Sequence, residues 1–257
     1  MILKLNAKNL FFSIIAITLS TTSHVVAEEF EGVLGWSKRV ELSTPVNGIV
    51  QKVFSQSGKL AAKGEVLVQL DPRSFKADLQ YAKAKFKNTN EQSLEAKREL
   101  DRQLDMYDRS MLSDHDLQIA KNNFTAAQSN FLQAQAELTK AKLNLEYSAI
   151  RAPFNAIVIS SSAIKGQVVA SEITPPVLVV VAEAQRMLAK FYTSVDKVNN
   201  LVSNQGVEVS VAGQIYQGKI LNIALEPSES KAGYAVDIVF DSKDKVLRAG
   251  QKVVVKL

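Results

Sequence analysis

The 257-residue chain is 46% apolar and carries a formal charge of +5. That apolar content supports a sizeable core and excludes a disordered chain. There is no cysteine, and His24 and His115 are the only histidines. Disulfides, thiolate metal sites and cysteine nucleophiles are excluded, and two histidines are too few for a three-histidine metal site.

Residues 1–27 contain no acid. Lys4 and Lys8 precede the apolar run Leu10–Leu19, and Val25-Val26-Ala27 follows a polar stretch. This is the pattern of a secretory signal peptide cleaved after Ala27. The alternative is a retained membrane anchor, but a bilayer span needs about 20 apolar residues and this run is half that. No cysteine follows the cut, so lipoprotein processing is not expected. Removing Lys4 and Lys8 lowers the charge from +5 to +3, too little to argue for nucleic acid.

The next segments are divided by glycine and proline. No glycine lies between Gly64 and Gly166, and no proline between Pro72 and Pro153. A stretch that long without either residue reads as long helix. Leu117, Phe124, Phe131, Leu138 and Leu145 recur every seven residues, with Ala120, Ala127, Ala134 and Ala141 on the companion row, which Ser148 continues. That is an apolar seam with alanine on one side, which lets a partner helix approach closely. Upstream, Leu79, Phe86, Leu100 and Tyr107 form a rougher row interrupted by Ser93, with Ala82, Thr89, Ala96 and Gln103 beside it. Asp71-Pro72 reads as an N-cap with proline at the first helical position. Ser113 followed by Asp116 resembles a capping box, and Asp114 adds negative charge to the first turn. The spacing predicts helices from about Pro72 to Ser110 and from about Asp114 to Ser148, each about 50 Å long, forming an antiparallel coiled-coil hairpin. A pair of that size has no room for a buried active site.

The flanks contain a repeat. Pro45-Val46-Asn47-Gly48-Ile49-Val50 returns 108 residues later as Pro153-Phe154-Asn155-Ala156-Ile157-Val158, and Gly58 matches Gly166 at the same offset. Each half reads strand, glycine turn, strand, and the two halves are expected to pair into one small sandwich from which the hairpin protrudes. Residues 43–72 and 148–181 resemble the two half-motifs of a lipoyl/biotinyl-like domain. Split around a helical hairpin, they make the chain similar to the membrane fusion protein (HlyD-like) family, the periplasmic adaptors of tripartite efflux and secretion systems. Gly206–Val209, Gly218–Ile220, Tyr234–Phe240 and Leu247-Arg248-Ala249-Gly250-Gln251 resemble that family's β-barrel.

The resemblance implies an α+β fold, mainly β: a split lipoyl-like sandwich plus a small β-barrel, with the long antiparallel hairpin. Its expected divisions are a signal peptide (1–27), an N-terminal strand joining the barrel (28–42), half one (43–71), the hairpin (72–147), half two (148–182) and the barrel (183–257). It implies a non-catalytic periplasmic adaptor between an inner-membrane RND transporter and an outer-membrane channel, homo-oligomeric and typically hexameric, with no cofactor. An ABC exporter or type I secretion system is the alternative, as is an exported lipoyl-like carrier or scaffold. Larger family members continue into a membrane-proximal domain, so transporter contacts are expected from the barrel or from another subunit. Asn155-Ala156 stands where the family usually carries Asp-Gly, and alanine there requires a turn without the glycine conformation, or strain.

The family's docking pattern of Arg, then Leu four residues on, then Ser seven further, is matched here by Arg102, Met106 and Ser113. Arginine offers several donors to a partner, and Met106 lies on the same helical face. The plainer reading makes Arg102 a solvated residue and Ser113 an N-cap. His115 reads as a surface residue, Trp36 as core or interface, and the charges at Lys83–Lys87 and Glu95–Asp101 as solvated faces. Lys63 in its turn lacks the context of a carrier lysine.

Overall fold

The computed structural model describes residues 28–170, 175–229, 232–243 and 245–257. The expected cleavage site at Ala27 lies outside them. In chain order the elements are β1 (Glu29–Trp36), β2 (Arg39–Leu42), β3 (Gly48–Val53), β4 (Leu60–Ala61) and β5 (Val66–Leu70). Two long helices follow, α1 (Arg73–Asp108) and α2 (Asp114–Tyr147). Then come β6 (Ala149–Arg151), β7 (Ala156–Ser161), β8 (Val168–Val169), β9 (Val179–Glu183), β10 (Arg186–Thr193) and the short α3 (Val195–Val198). The chain ends with β11 (Gly206–Val211), β12 (Gln214–Pro227), β13 (Tyr234–Asp241) and β14 (Lys252–Lys256).

Two four-stranded sheets, β2-β9-β7-β4 and β6-β5-β3-β8, form a sandwich, and each draws strands from both sides of the helical insert. The 108-residue repeat is visible as a reciprocal exchange of hydrogen bonds. Gly58 N–H donates to Val158 O (2.8 Å) and Val158 N–H to Lys59 O (2.9 Å). At the equivalent positions Gly166 N–H donates to Val50 O (2.8 Å) and Val50 N–H to Gln167 O (2.9 Å). Gly58 and Gly166 both sit in the left-handed region, at φ 84° and 87°, where a side chain is strained. Between the sheets lie Val50, Leu67, Leu70, Val158, Val169 and Val179, all essentially inaccessible.

Asn155-Ala156 carries no backbone strain. Ala156 opens β7 fully buried and is not among the positive-φ residues. At the equivalent Gly48 a Cβ would stand 3.1 Å from Leu70 Cδ1. Space, rather than φ, therefore separates the two positions. The Asn155 carboxamide accepts from Lys63 N–H at 2.9 Å, which ties the two half-motifs together.

Six antiparallel strands, β1-β10-β13-β12-β11-β14, close a barrel. β10 shows why: its burial alternates with period two, the signature of a strand with one face on a core. That core includes Leu34, Met187, Phe191, Ile220 and Ile238, with Trp36 packed against it. The Phe30 and Phe191 rings stack at 4.7 Å between centroids. Segment 28–42 is divided between the two bodies. Glu29–Trp36 pairs with β10 in the barrel, whereas Arg39–Leu42 pairs with β9 in the sandwich. The break falls at Ser37, whose hydroxyl donates to Glu183 Oε2 (2.9 Å) and to Arg186 O (2.8 Å) where the chain returns from sandwich to barrel.

Candidate functional site

The helical insert leaves and re-enters the sandwich at one place, where Leu70 N–H donates to Ser148 O at 2.8 Å. At the start of α1, Asp71 Oδ1 accepts from the Arg73 backbone N–H at 3.1 Å. Pro72 already has helical φ and ψ, so Asp71 does the capping work although the helix is bounded one residue later. The Asp71 carboxyl is held below its usual range, first by the Arg73 guanidinium and then by that N–H.

The two helices run antiparallel against one another. Their contacts pass from Tyr107 Oη–Asp114 Oδ1 (2.6 Å) near the turn to Lys85 Nζ–Glu137 (2.8 Å) nearer the sandwich. Phe86 and Phe131 meet at 5.3 Å in between. Both rows of the α2 heptad are buried or half-buried, with Ala134 fully so. Thr89 is buried on the α1 row, its hydroxyl donating to Lys85 O at 3.0 Å.

The far end is a five-residue turn, and its geometry follows from a helix that stops without glycine. Ser110 adopts the left-handed conformation at φ 59°. Its N–H donates to Tyr107 O (2.8 Å), and Met111 N–H donates to Met106 O (2.9 Å). These are the two bonds of a Schellman motif, which satisfies the last carbonyls of α1. Ser113 then starts α2, accepting from Asp116 N–H at 3.2 Å. The expected capping box is incomplete: Asp116 accepts the Ser113 hydroxyl proton at 2.6 Å rather than reaching its backbone N–H, because aspartate is one methylene shorter than glutamate.

The three residues singled out from spacing are therefore divided. Arg102 is ion-paired on its own helix, with Glu99 and with Glu95 (3.5 Å). Those pairings, with Glu99 first, raise the guanidinium pKa further. Met106 is part-exposed and lines a groove of about 640 Å³ between the helices. Ser113 belongs to the turn and its cap. Sequence reasoning missed the groove, whose apolar lining adds Ala96, Leu112, Ile119 and Ala120 and whose polar lining includes Glu95, Glu99 and Asp116. Its one sequence signal is Ile119, an apolar residue off the seam and 45% exposed.

Two further clefts, of about 480 and 440 Å³, lie where the sandwich meets the barrel. Leu60, Ala62 and Val246 line one, and Lys63, Glu183, Arg186 and Asp241 the other. Among the described residues no cluster of three or more metal-ligating His, Asp or Glu side chains occurs. None of their helices is long and apolar enough to cross a membrane.

A sandwich shared between two half-motifs, interrupted by a long helical pair and joined to a closed barrel, is the architecture the comparisons address. Residues 38–182 match the family described as CzcB-like, barrel-sandwich hybrid domain. That match spans more than half of the chain, which belongs to this family. No curated protein matches the sequence. Among solved structures, MacA from Actinobacillus actinomycetemcomitans is similar at 24% identity over 90% of this chain and 79% of its own, with a TM-score of 0.69. A MacA-MexA chimera containing the Pseudomonas aeruginosa MexA α-hairpin domain is similar at 24% identity over 89% and 79%, with a TM-score of 0.68. The membrane fusion protein Spr0693 from Streptococcus pneumoniae R6 is similar at 16% identity over 89% and 97%, with a TM-score of 0.65. The resemblance to membrane fusion proteins read from the split half-motifs is thus borne out, and the split sandwich expected from them is the domain that the family description calls a barrel-sandwich hybrid.

Proposed function

We propose that the chain is a non-catalytic periplasmic adaptor, linking an inner-membrane RND efflux transporter to an outer-membrane channel. The observation that carries this reading is the helical pair. Helices of 36 and 34 residues reach about 50 Å from the sandwich at 1.5 Å per residue. They end in a turn closed by backbone and cap hydrogen bonds, a shape suited to spanning distance. The solved structures add a class, since one of them is named a membrane fusion protein.

In this reading the N-terminal segment is a signal peptide cleaved after Ala27. The segments 43–71 and 148–182 act as the split half-domain, 72–147 as a coiled-coil hairpin and 183–257 as the transporter-facing barrel. Copies associate as a homo-oligomer, six per pump. Arg102, Met106 and Ser113 belong to the tip that meets the channel.

In-cell crosslinking followed by purification tests the reading. Recovery of an RND pump and an outer-membrane channel is expected. An ABC transporter in place of the pump would move the protein to the other exporter class. Self-adducts alone, or a mass shift from a covalently bound cofactor, would overturn the adaptor function in favour of a scaffold or a carrier.

A further inference from the structure

The groove near the turn has a shape, a lining and an electrostatic setting that together specify an occupant. It follows the helix axes from Ala96 to Met106, ten residues or about 15 Å. The α1 positions that line it are spaced by three and four, the stripe one side of a helix presents. Small side chains at Ala96 and Ala120 leave the space between the two helices open, while Met106, Leu112 and Ile119 supply apolar contact. A groove of this length between two helices offers a seat to one face of a third helix of about three turns, packed at the usual interaxial distance of about 8–10 Å.

Charge narrows the choice. Residues 91–121 hold eight carboxylates against five Lys and Arg, whereas 73–90 together with 122–147 hold seven Lys and Arg against three carboxylates. The distal half of the helical pair is thus acidic and the proximal half basic. Within the groove Glu95 and Glu99 are partly met by Arg98 and Arg102. Asp116 accepts only the Ser113 hydroxyl among the described side-chain contacts. Its charge faces a groove otherwise lined by apolar and amide side chains on the α2 side.

We propose that this groove receives an amphipathic helix of the partner protein, with an apolar stripe against Met106 and Ile119 and lysine or arginine flanking it. The inference rests on the docking reading above and adds the partner's chemistry. It also changes the part assigned to Arg102: that residue sets the position of the two glutamates rather than reaching the partner itself. Complementary charge speeds encounter and selects against acidic partners, and apolar helix-in-groove contacts supply the affinity.

The methionines of residues 28–257 are Met106 in the groove, Met111 in the turn outside it and Met187 deep in the barrel. Methyl-labelled methionine therefore reports the site directly. The probe is a 16-residue helical peptide with leucines at i, i+3 and i+7 and lysine flanks, beside a counterpart with glutamate flanks. The lysine peptide is expected to shift Met106 and leave Met187 unmoved. Ile119→Asp is expected to weaken it about tenfold or more, and Asp116→Asn to weaken it and reduce its salt dependence. Equal binding of the glutamate peptide, no shift at Met106, or indifference to Ile119→Asp would overturn the proposal. A photocrosslinker at Met111 in cells separates the two readings. Crosslinks to the channel together with a silent groove would leave tip docking standing and reject only the groove. Loss of the crosslinks would reject tip docking itself.

Discussion

Ser110 occupies a position where helices ending in this motif most often carry glycine. A left-handed non-glycine residue costs about 1 kcal/mol, so Ser110→Gly is expected to raise thermal stability by roughly that amount. A calorimetric melt showing no gain would mean that the serine side chain offsets its own strain. Asp71 supports a pH prediction. Its folded pKa is depressed by Arg73, so its contribution is fully present above the unfolded value and is lost as pH falls through the folded one. A stability gap between wild type and Asp71→Asn is therefore expected at neutral pH and should close below the usual carboxylate range. A gap independent of pH would assign Asp71 a packing role. At Arg102, replacement by aspartate would place a third carboxylate beside Glu95 and Glu99. Arg102→Ala removes the ion pairs without adding repulsion: channel crosslinking is expected to persist or strengthen if Arg102 only positions the glutamates, and its loss would mean that Arg102 itself reaches the channel.

At the scale of elements, the helices were readable because their spacing leaves one solution. Alanine on one row and large residues on the other bury one stripe, and α2 shows that stripe over its full length. Ala134 is fully buried against α1. Ala134→Leu is expected to overpack the seam and cost about 1–3 kcal/mol, visible as an earlier loss of helical circular dichroism. The upstream row was rougher in sequence, and it is there, past Ser93 and towards Gln103, that the groove opens. Spacing reports which residues face a partner helix. It does not report how well two facing rows fill the space between them, so the groove was not legible.

For the whole molecule, the insert and the sandwich meet at the Leu70–Ser148 backbone bond. Replacing residues 76–144 by a short glycine linker is therefore expected to leave a folded β protein, with near-ultraviolet circular dichroism retained and channel crosslinking lost. A disordered product would show that the helices hold the sandwich together. Closure of the barrel is likewise a long-range event. β1 pairs with β14, bringing Glu29 opposite Lys256, and those side chains form an ion pair at 2.7 Å.

The 108-residue repeat, the region free of glycine and proline and the heptad rows are one-dimensional patterns. They determined the split sandwich, the helical insert and its ends without any structure, because each reflects a local period or a local breaker. The tertiary structure alone decided that Arg39–Leu42 leaves the barrel strand for the sandwich and that Gly48 serves the packing of Leu70. It also revealed the groove beside Met106. These outcomes depend on which distant side chains compete for the same space and the same charge, and that competition exists only once the chain has folded.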